Sequence, residues 1–115
     1  IEVATPEDHD RKIAYTSQLC HVVSNAFIKN ETAAKHDGYS AGSYKDLTRV
    51  ARLDPEMWSA LMTENADYLE KELQEFSDNL SEYLAAIKNK DRERLKSLLK
   101  AGNDRKIALD EKGEK

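Results

Sequence analysis

The strongest constraint on the fold is an apolar stripe in the second half of the chain. Its residues follow one another at steps of three and four, the spacing that places side chains on one face of an α-helix. They are Leu69, Leu73, Phe76, Leu80, Tyr83, Leu84 and Ile87. The opposite face of the same stretch is acidic. The pattern therefore predicts a long amphipathic helix over about residues 65–88, broken afterwards at Asn89-Lys90-Asp91.

Helix-start signals place the remaining elements. Thr5-Pro6 supplies a capping side chain and a proline suited to the first helical position, and Asp54-Pro55 repeats that pattern. Gly38 is the predicted stop of the first helix. Two prolines and four glycines in 115 residues leave little material for a turn-rich β fold. The sequence predicts an all-α bundle of about five helices, four of them over about residues 6–34, 43–52, 55–62 and 65–88. The last carries Leu95, Leu98 and Leu99 and ends near Gly102 or Leu109.

Composition excludes several partners. The net charge of −4 provides no basic field for nucleic acid. No apolar run reaches the roughly 20 residues that span a bilayer, and no signal peptide opens the sequence. Cys20 is the single cysteine, which fits a reducing compartment and predicts a cytoplasmic protein. The histidines His9, His21 and His36 lack zinc-ligand spacing, so no metal site is predicted.

The helix lengths also predict a partner. Long amphipathic helices in a chain of 115 residues cannot all bury their apolar faces within one compact monomer. A second copy related by a two-fold axis is the simplest source of a covering helix. The sequence therefore predicts a homodimer.

Arg49 is the foremost candidate for ligand binding. Its planar guanidinium can bind both oxygens of a carboxylate. Gly42 lies in the small-residue turn before it, where a glycine lets backbone approach a ligand or supplies an unusual backbone angle. Together they predict a small-anion site carried on helices. The structural alternative is an ion pair of Arg49 with Asp46 or Asp54.

Two sequence motifs resemble a known family. The first is A-G-S-Y-K-D-L-T-R-V-A at residues 41–51, followed by D-P-E-M-W at 54–58. The second is H-D at 9–10, followed by S-Q-L-C-H at 17–21. Both resemble elements of the C-terminal helical domain of prephenate dehydrogenases, in the same order. The resemblance extends from about Pro6 to about Leu84.

The resemblance implies a fold and a domain organisation. The family's domain is an intertwined homodimer like the C-terminal domain of 6-phosphogluconate dehydrogenase. Residues 1–5 are then expected to end a linker from a missing dinucleotide-binding domain, and residues 6–109 to form the dimerisation and substrate-binding domain. Residues 110–115 are expected to form a disordered tail. NAD or NADP is expected in the missing domain, because this chain has no G-x-G-x-x-G motif.

The resemblance also implies an activity, the NAD(P)-dependent oxidative decarboxylation of prephenate to 4-hydroxyphenylpyruvate. Arg49 is expected to hold a substrate carboxylate, and His21, Gly42 and Trp58 to shape the pocket. Trp58 has a structural alternative as a core residue. Gln18 is a further candidate contact, in the place of the first histidine of the family's S-H-L-P-H element. No catalytic residue is expected in this chain, which alone should be inactive, and tyrosine is a possible inhibitor.

Some expectations stay open at the level of sequence. Cys20 replaces a proline of the family motif and is interpreted as a packing residue that straightens the helix locally. The chain could instead be a non-catalytic helical homodimerisation or interaction module. Arogenate could replace prephenate as substrate, and the choice between NAD and NADP lies outside this sequence.

Overall fold

The computed structural model describes residues 5–35 and 41–113, and the regular structure in these ranges is helical. Gly38, the predicted stop of the first helix, lies outside the described residues. The helices are α1 (Pro6–Ile13), α2 (Cys20–Phe27), α3 (Gly42–Thr48), α4 (Pro55–Glu64), α5 (Ala66–Lys88) and α6 (Arg92–Glu111). A π-helical turn, Ala14–Leu19, joins α1 to α2 without a break. Counted as one helix, this pair gives the five helices predicted.

The first helix begins as predicted and ends early. The Thr5 hydroxyl accepts a hydrogen bond from the backbone N–H of Asp8 at 3.1 Å, and Pro6 occupies the first turn. The helix ends at Phe27, not near Ala34, and a short 3-10 turn covers Glu31–Ala34. Asn30 separates the two with an extended backbone (φ −61°, ψ 138°), which interrupts the helical hydrogen bonds.

The π-helical turn was not predicted. Cys20 follows it and is exposed, so its interpretation as a packing residue is wrong. A π turn inserts an extra residue and rotates the side chains that follow, and such turns are frequent at functional sites. The buried side chains of this region are Ala14, Gln18, Leu19 and Ser24.

The helices that follow are set by local caps. Asp54 accepts a hydrogen bond from the backbone N–H of Glu56 at 3.0 Å, which starts α4 as predicted. Asn65 ends α4 with a non-helical backbone, and α5 begins at the next residue. The third helix is shorter than predicted and stops at Thr48, leaving Arg49 as its C-cap.

The chain divides into two compact units between Leu73 and Gln74. Leu19 and Leu69 are among the buried apolar residues of the first unit. Among the described residues of the second unit, one apolar residue is buried, Ala86. The second unit is a hairpin of the end of α5 and α6, in which the Tyr83 hydroxyl donates to the Leu98 carbonyl at 3.4 Å. Its helix α6 continues through residues 110 and 111, which were expected to belong to a disordered tail.

Many large apolar side chains remain exposed in the second unit. They include Leu80, Leu84, Ile87, Leu99 and Ile107. Across the two described ranges, no helix is both long enough and apolar enough to cross a membrane.

Candidate functional site

The structure brings two of the predicted site residues into direct contact. The His21 ring on α2 stacks on the Trp58 ring on α4, with ring centroids 3.9 Å apart and planes inclined by 23°. Both residues are partly buried. Stacking of two aromatic rings favours a fixed relative orientation of the pair. The pair therefore joins two helices and forms a rigid aromatic surface.

The protonation pattern of His21 follows from its hydrogen bond. Its Nδ1 lies 2.8 Å from the Ser17 carbonyl oxygen. A carbonyl can only accept, so Nδ1 carries the hydrogen and Nε2 of the neutral ring is a hydrogen-bond acceptor. Ser17 lies four residues before His21, and the contact is made by the Ser17 backbone. His21 can thus accept a hydrogen bond from a ligand hydroxyl.

A cavity lies beside the stacked rings. It has a volume of about 320 Å³, and both His21 and Trp58 line it. Volumes from about 300 Å³ are typical of small-molecule pockets. Its other walls are apolar at Val22, Leu53, Pro55 and Met62, and polar at Asn25, Lys29 and Ser59. Among the described lining residues, Lys29 carries a positive charge and none is a carboxylate.

Arg49 lies outside the lining of this cavity. It is exposed at the C-terminal end of α3, and no described carboxylate lies within ion-pair distance of it. The ion pairs with Asp46 or Asp54, the structural alternative for Arg49, are therefore not formed. The turn after Arg49 is attached to the cavity wall, because the Asn25 side-chain amide donates to the Ala51 carbonyl at 2.9 Å. Because Arg49 forms no ion pair with a described residue, its guanidinium is available to a ligand.

Gly42 is the first residue of α3 and is exposed. Its φ is not positive, so the unusual backbone angle expected there is absent. A Cβ placed on Gly42 would meet no atom within 4 Å. Within the described residues, the structure thus gives no steric reason for glycine at this position, and Gly42 does not line the cavity.

Gln18 is buried, with 5% of its surface exposed, and does not line the cavity. The Asn65 side-chain amide donates to Gln18 Oε1 at 2.9 Å, and Gln18 Nε2 lies 3.5 Å from the Leu61 carbonyl oxygen. The candidate substrate contact is therefore engaged in a contact between helices.

Sequence reasoning missed Asn25, Lys29 and Asn65. Asn25 lies four residues after His21, which places both on one face of α2. That spacing was a usable signal for Asn25. The contacts of Asn65 cross large sequence separations and left no local signal.

The sequence also matches a known protein family. A family model described as prephenate dehydrogenase, dimerization domain, matches residues 5–101. The chain belongs to this family. Among curated relatives of this dimerisation domain, a cyclohexadienyl dehydrogenase of Zymomonas mobilis is 34% identical over 95% of the chain. A prephenate dehydrogenase of Lactococcus lactis is 22% identical over 90% of it.

Solved structures agree with the family assignment. The arogenate dehydrogenase of Synechocystis superposes on 95% of the dimerisation domain with a TM-score of 0.80 and 28% identity. The prephenate dehydrogenase of A. aeolicus, solved with hydroxyphenyl propionate and NAD+, superposes on 94% with a TM-score of 0.76 and 27% identity. The chain spans 39% of the length of the Zymomonas relative and 42% of the Synechocystis chain.

The described residues do not fit a nicotinamide dinucleotide. Such a site needs a strand, a glycine-rich turn and a helix whose N-terminus receives the pyrophosphate. Residues 5–35 and 41–113 contain no strand, and the sequence contains no G-x-G-x-x-G.

Proposed function

We propose that this chain is the dimerisation and substrate-binding part of a cytoplasmic prephenate dehydrogenase. The reaction is the oxidative decarboxylation of prephenate to 4-hydroxyphenylpyruvate with NAD or NADP, which residues outside this chain would bind. The observation that carries the proposal is the stacked pair of His21 and Trp58 beside a cavity, within the part of the chain that matches the family model.

The chemistry of the site suits the parts of prephenate. This substrate has a six-membered ring, a ring hydroxyl and two carboxylates. Apolar walls and the Trp58 ring suit the ligand ring, and His21 Nε2 suits its hydroxyl as a hydrogen-bond acceptor. The guanidinium of Arg49, which forms no ion pair with a described residue, suits a carboxylate. In this proposal these residues bind and orient the substrate, and the group that removes the hydroxyl proton belongs to another domain.

The lining of the cavity favours prephenate over arogenate. Arogenate carries an ammonium group where prephenate carries a keto group, and an ammonium is best bound by a carboxylate. The described lining residues of the cavity include the cation Lys29 and no carboxylate. The relatives include both a prephenate and an arogenate dehydrogenase by name, so this discrimination belongs to individual members of the family. Tyrosine, which shares the ring and hydroxyl, is proposed as an inhibitor of the same site.

The assembly proposed is a homodimer. The second unit buries one apolar residue among those described, Ala86, and leaves Leu80, Leu84 and Ile87 of α5 exposed. A helical hairpin of this kind needs a covering surface. The matching family model is described as a dimerisation domain, which supports a second copy as that cover.

The same exposed surface supports a second candidate function, a non-catalytic interaction module. On that hypothesis the cavity has no substrate, and Arg49 can be replaced without effect on any small-molecule activity.

The test is prephenate oxidation by the parent protein that contains this domain, followed by the absorbance of the reduced nicotinamide. Arg49→Ala should raise KM about 30-fold, which corresponds to about 2 kcal/mol for a lost charge-assisted hydrogen bond. Arg49→Lys should recover part of the loss, because lysine keeps the charge without the planar fork. The matched control is Arg52→Ala, since Arg52 is also exposed and also has no ion pair among the described residues.

All variants should first be shown to have the oligomeric state of the wild type. Turnover with prephenate and a loss confined to Arg49 would support the substrate role. Turnover with equal KM in the Arg49 and Arg52 variants would contradict the role of Arg49. Absence of turnover with either prephenate or arogenate would favour the interaction module.

A further inference from the structure

A cluster of side-chain amides connects the first helix to the junction of α4 and α5. Asn65 Nδ2 donates both to Gln18 Oε1 and to the Asp10 carbonyl, each at 2.9 Å. Gln18 Nε2 approaches the Leu61 carbonyl at 3.5 Å. Gln18 is almost completely buried, and a buried amide is retained at low free-energy cost only when it is hydrogen-bonded.

These amide contacts are adjacent to the stacked rings. Gln18 lies three residues before His21, and Leu61 lies three residues after Trp58. Residues three apart on a helix share a face. The amide contact and the ring contact therefore lie about one helical turn apart, both between α4 and the helix that contains Gln18 and His21. The position of Trp58 relative to His21 therefore depends on where the amides hold α4.

The backbone does not need these amide bonds for its own hydrogen bonding. The Leu61 carbonyl already accepts from the backbone N–H of Asn65 at 3.2 Å, and the Asp10 carbonyl accepts from the backbone N–H of Ala14. The side-chain amides add hydrogen bonds between the first helix and the junction of α4 and α5, and neither helix needs these bonds to satisfy its own backbone. Their contribution is thus to the relative placement of the helices.

The π-helical turn explains how Gln18 reaches the junction. Gln18 lies within the turn Ala14–Leu19, whose extra residue rotates the following side chains relative to α1. His21 is the second residue after that turn, in the first turn of α2. The same distortion of the helix thus sets the direction of both side chains.

We infer that Gln18 and Asn65 are positioning residues that hold the Trp58 ring against His21. They act through the placement of α4 and do not touch the ligand. The inference deepens the proposed function, since the stacked pair is the surface proposed for the substrate ring. Its test needs no substrate, so a failure of the proposed function leaves the test valid.

Trp58 is the only tryptophan, so the fluorescence of the whole 115-residue chain reports its surroundings. A stacked imidazole quenches indole emission and shields the indole from acrylamide. His21→Ala defines the signal of an unstacked Trp58. Gln18→Met keeps the side-chain length and removes the amide, and Asn65→Ala removes its partner. Both variants should show increased emission and increased acrylamide quenching, in the direction of His21→Ala.

The control is Gln74→Met, because the Gln74 amide also donates a hydrogen bond, to Asp78 within one helix at 2.9 Å. It should leave the emission of Trp58 unchanged. Helical circular dichroism establishes that each variant is folded, and Asn65→Ala serves if Gln18→Met does not fold. Folded Gln18 and Asn65 variants with the emission and quenching of the wild type would overturn the inference.

Discussion

The side-chain amide of Asn25 on α2 donates a hydrogen bond to the Ala51 carbonyl at 2.9 Å, and so joins the cavity wall to the turn that follows Arg49. Asn25→Leu keeps a similar size and removes the donor, leaving a partly buried carbonyl without its partner. The free energy of unfolding should fall by about 1 kcal/mol, as expected for one lost hydrogen bond. Urea denaturation measures this change.

The matched control for that variant is Asn103→Ala on α6, where an exposed asparagine makes no side-chain hydrogen bond to a described residue. Its stability should be unchanged or slightly increased, because alanine has the higher helix propensity. Equal losses in the two variants would show that the Asn25 bond contributes nothing of its own.

Ser24 presents the opposite case, a buried hydroxyl without a partner. Only 1% of its surface is exposed, and its Oγ has no hydrogen-bond partner among the described residues. Ser24→Ala removes an unsatisfied polar group and should raise the free energy of unfolding by about 1 kcal/mol. Ser81→Ala is the comparison, because the exposed Ser81 hydroxyl donates to the Ser77 carbonyl at 3.1 Å. A thermal melt in which Ser24→Ala is less stable than Ser81→Ala would contradict this account.

The predictable parts of the fold are those with local causes. The Thr5 and Asp54 caps were evident from sequence because each bonds a backbone N–H within three residues. The early end of the first helix and the π-helical turn were not evident, since residues 14–34 contain no glycine or proline that would mark either one. The choice of His21 and Trp58 came from the family motifs, and their direct contact was a result of the structure.

Asn65 is a residue that sequence reasoning could not have placed at the site. Asn65 contacts residues of the first helix across a large separation in sequence, and no periodicity reports such a contact. Gln18 was selected by its place in the motif and is engaged with Asn65. The unusual backbone angle expected at Gly42 was wrong, because an ordinary helix start there needs no positive φ.

Lys90 has a backbone conformation that suits glycine. Its φ is +54°, in the turn between α5 and α6. A non-glycine residue in this left-handed region is strained by about 1 kcal/mol. Lys90→Gly should therefore stabilise the protein by about 0.5–1 kcal/mol in urea denaturation. Lys88→Gly, inside α5, should instead destabilise it by about 1 kcal/mol; the same sign in both variants would refute the argument from φ.

The exposed pair of Lys100 and Asp104 predicts a dependence of stability on alkaline pH. Their hydrogen bond of 2.7 Å and the charge of Asp104 raise the pKa of Lys100 above its ordinary 10.5. A raised folded-state pKa means that the stabilisation is present below pH 10.5 and is lost as pH rises through the higher value. Asp104→Asn should be slightly less stable than the wild type at neutral pH, and the difference should vanish in strongly alkaline buffer. A constant difference across that range would show that the pair does not act through the charge on Lys100.

The exposed apolar face of α5 predicts where the second copy binds. Leu84 is 64% exposed and Leu80 is 51% exposed, and both lie on the predicted apolar stripe. A charge on a fully desolvated apolar contact is strongly unfavourable. Leu84→Glu should therefore convert the proposed dimer to a monomer in light scattering, with its helical circular dichroism retained. Ala85→Glu adds the same charge to the same helix at an exposed position whose neighbours one turn away, including Glu82 and Lys88, lie outside the stripe, and it should leave the dimer intact. If Leu84→Glu stays dimeric at the dissociation constant of the wild type, the second copy must cover another face of the protein.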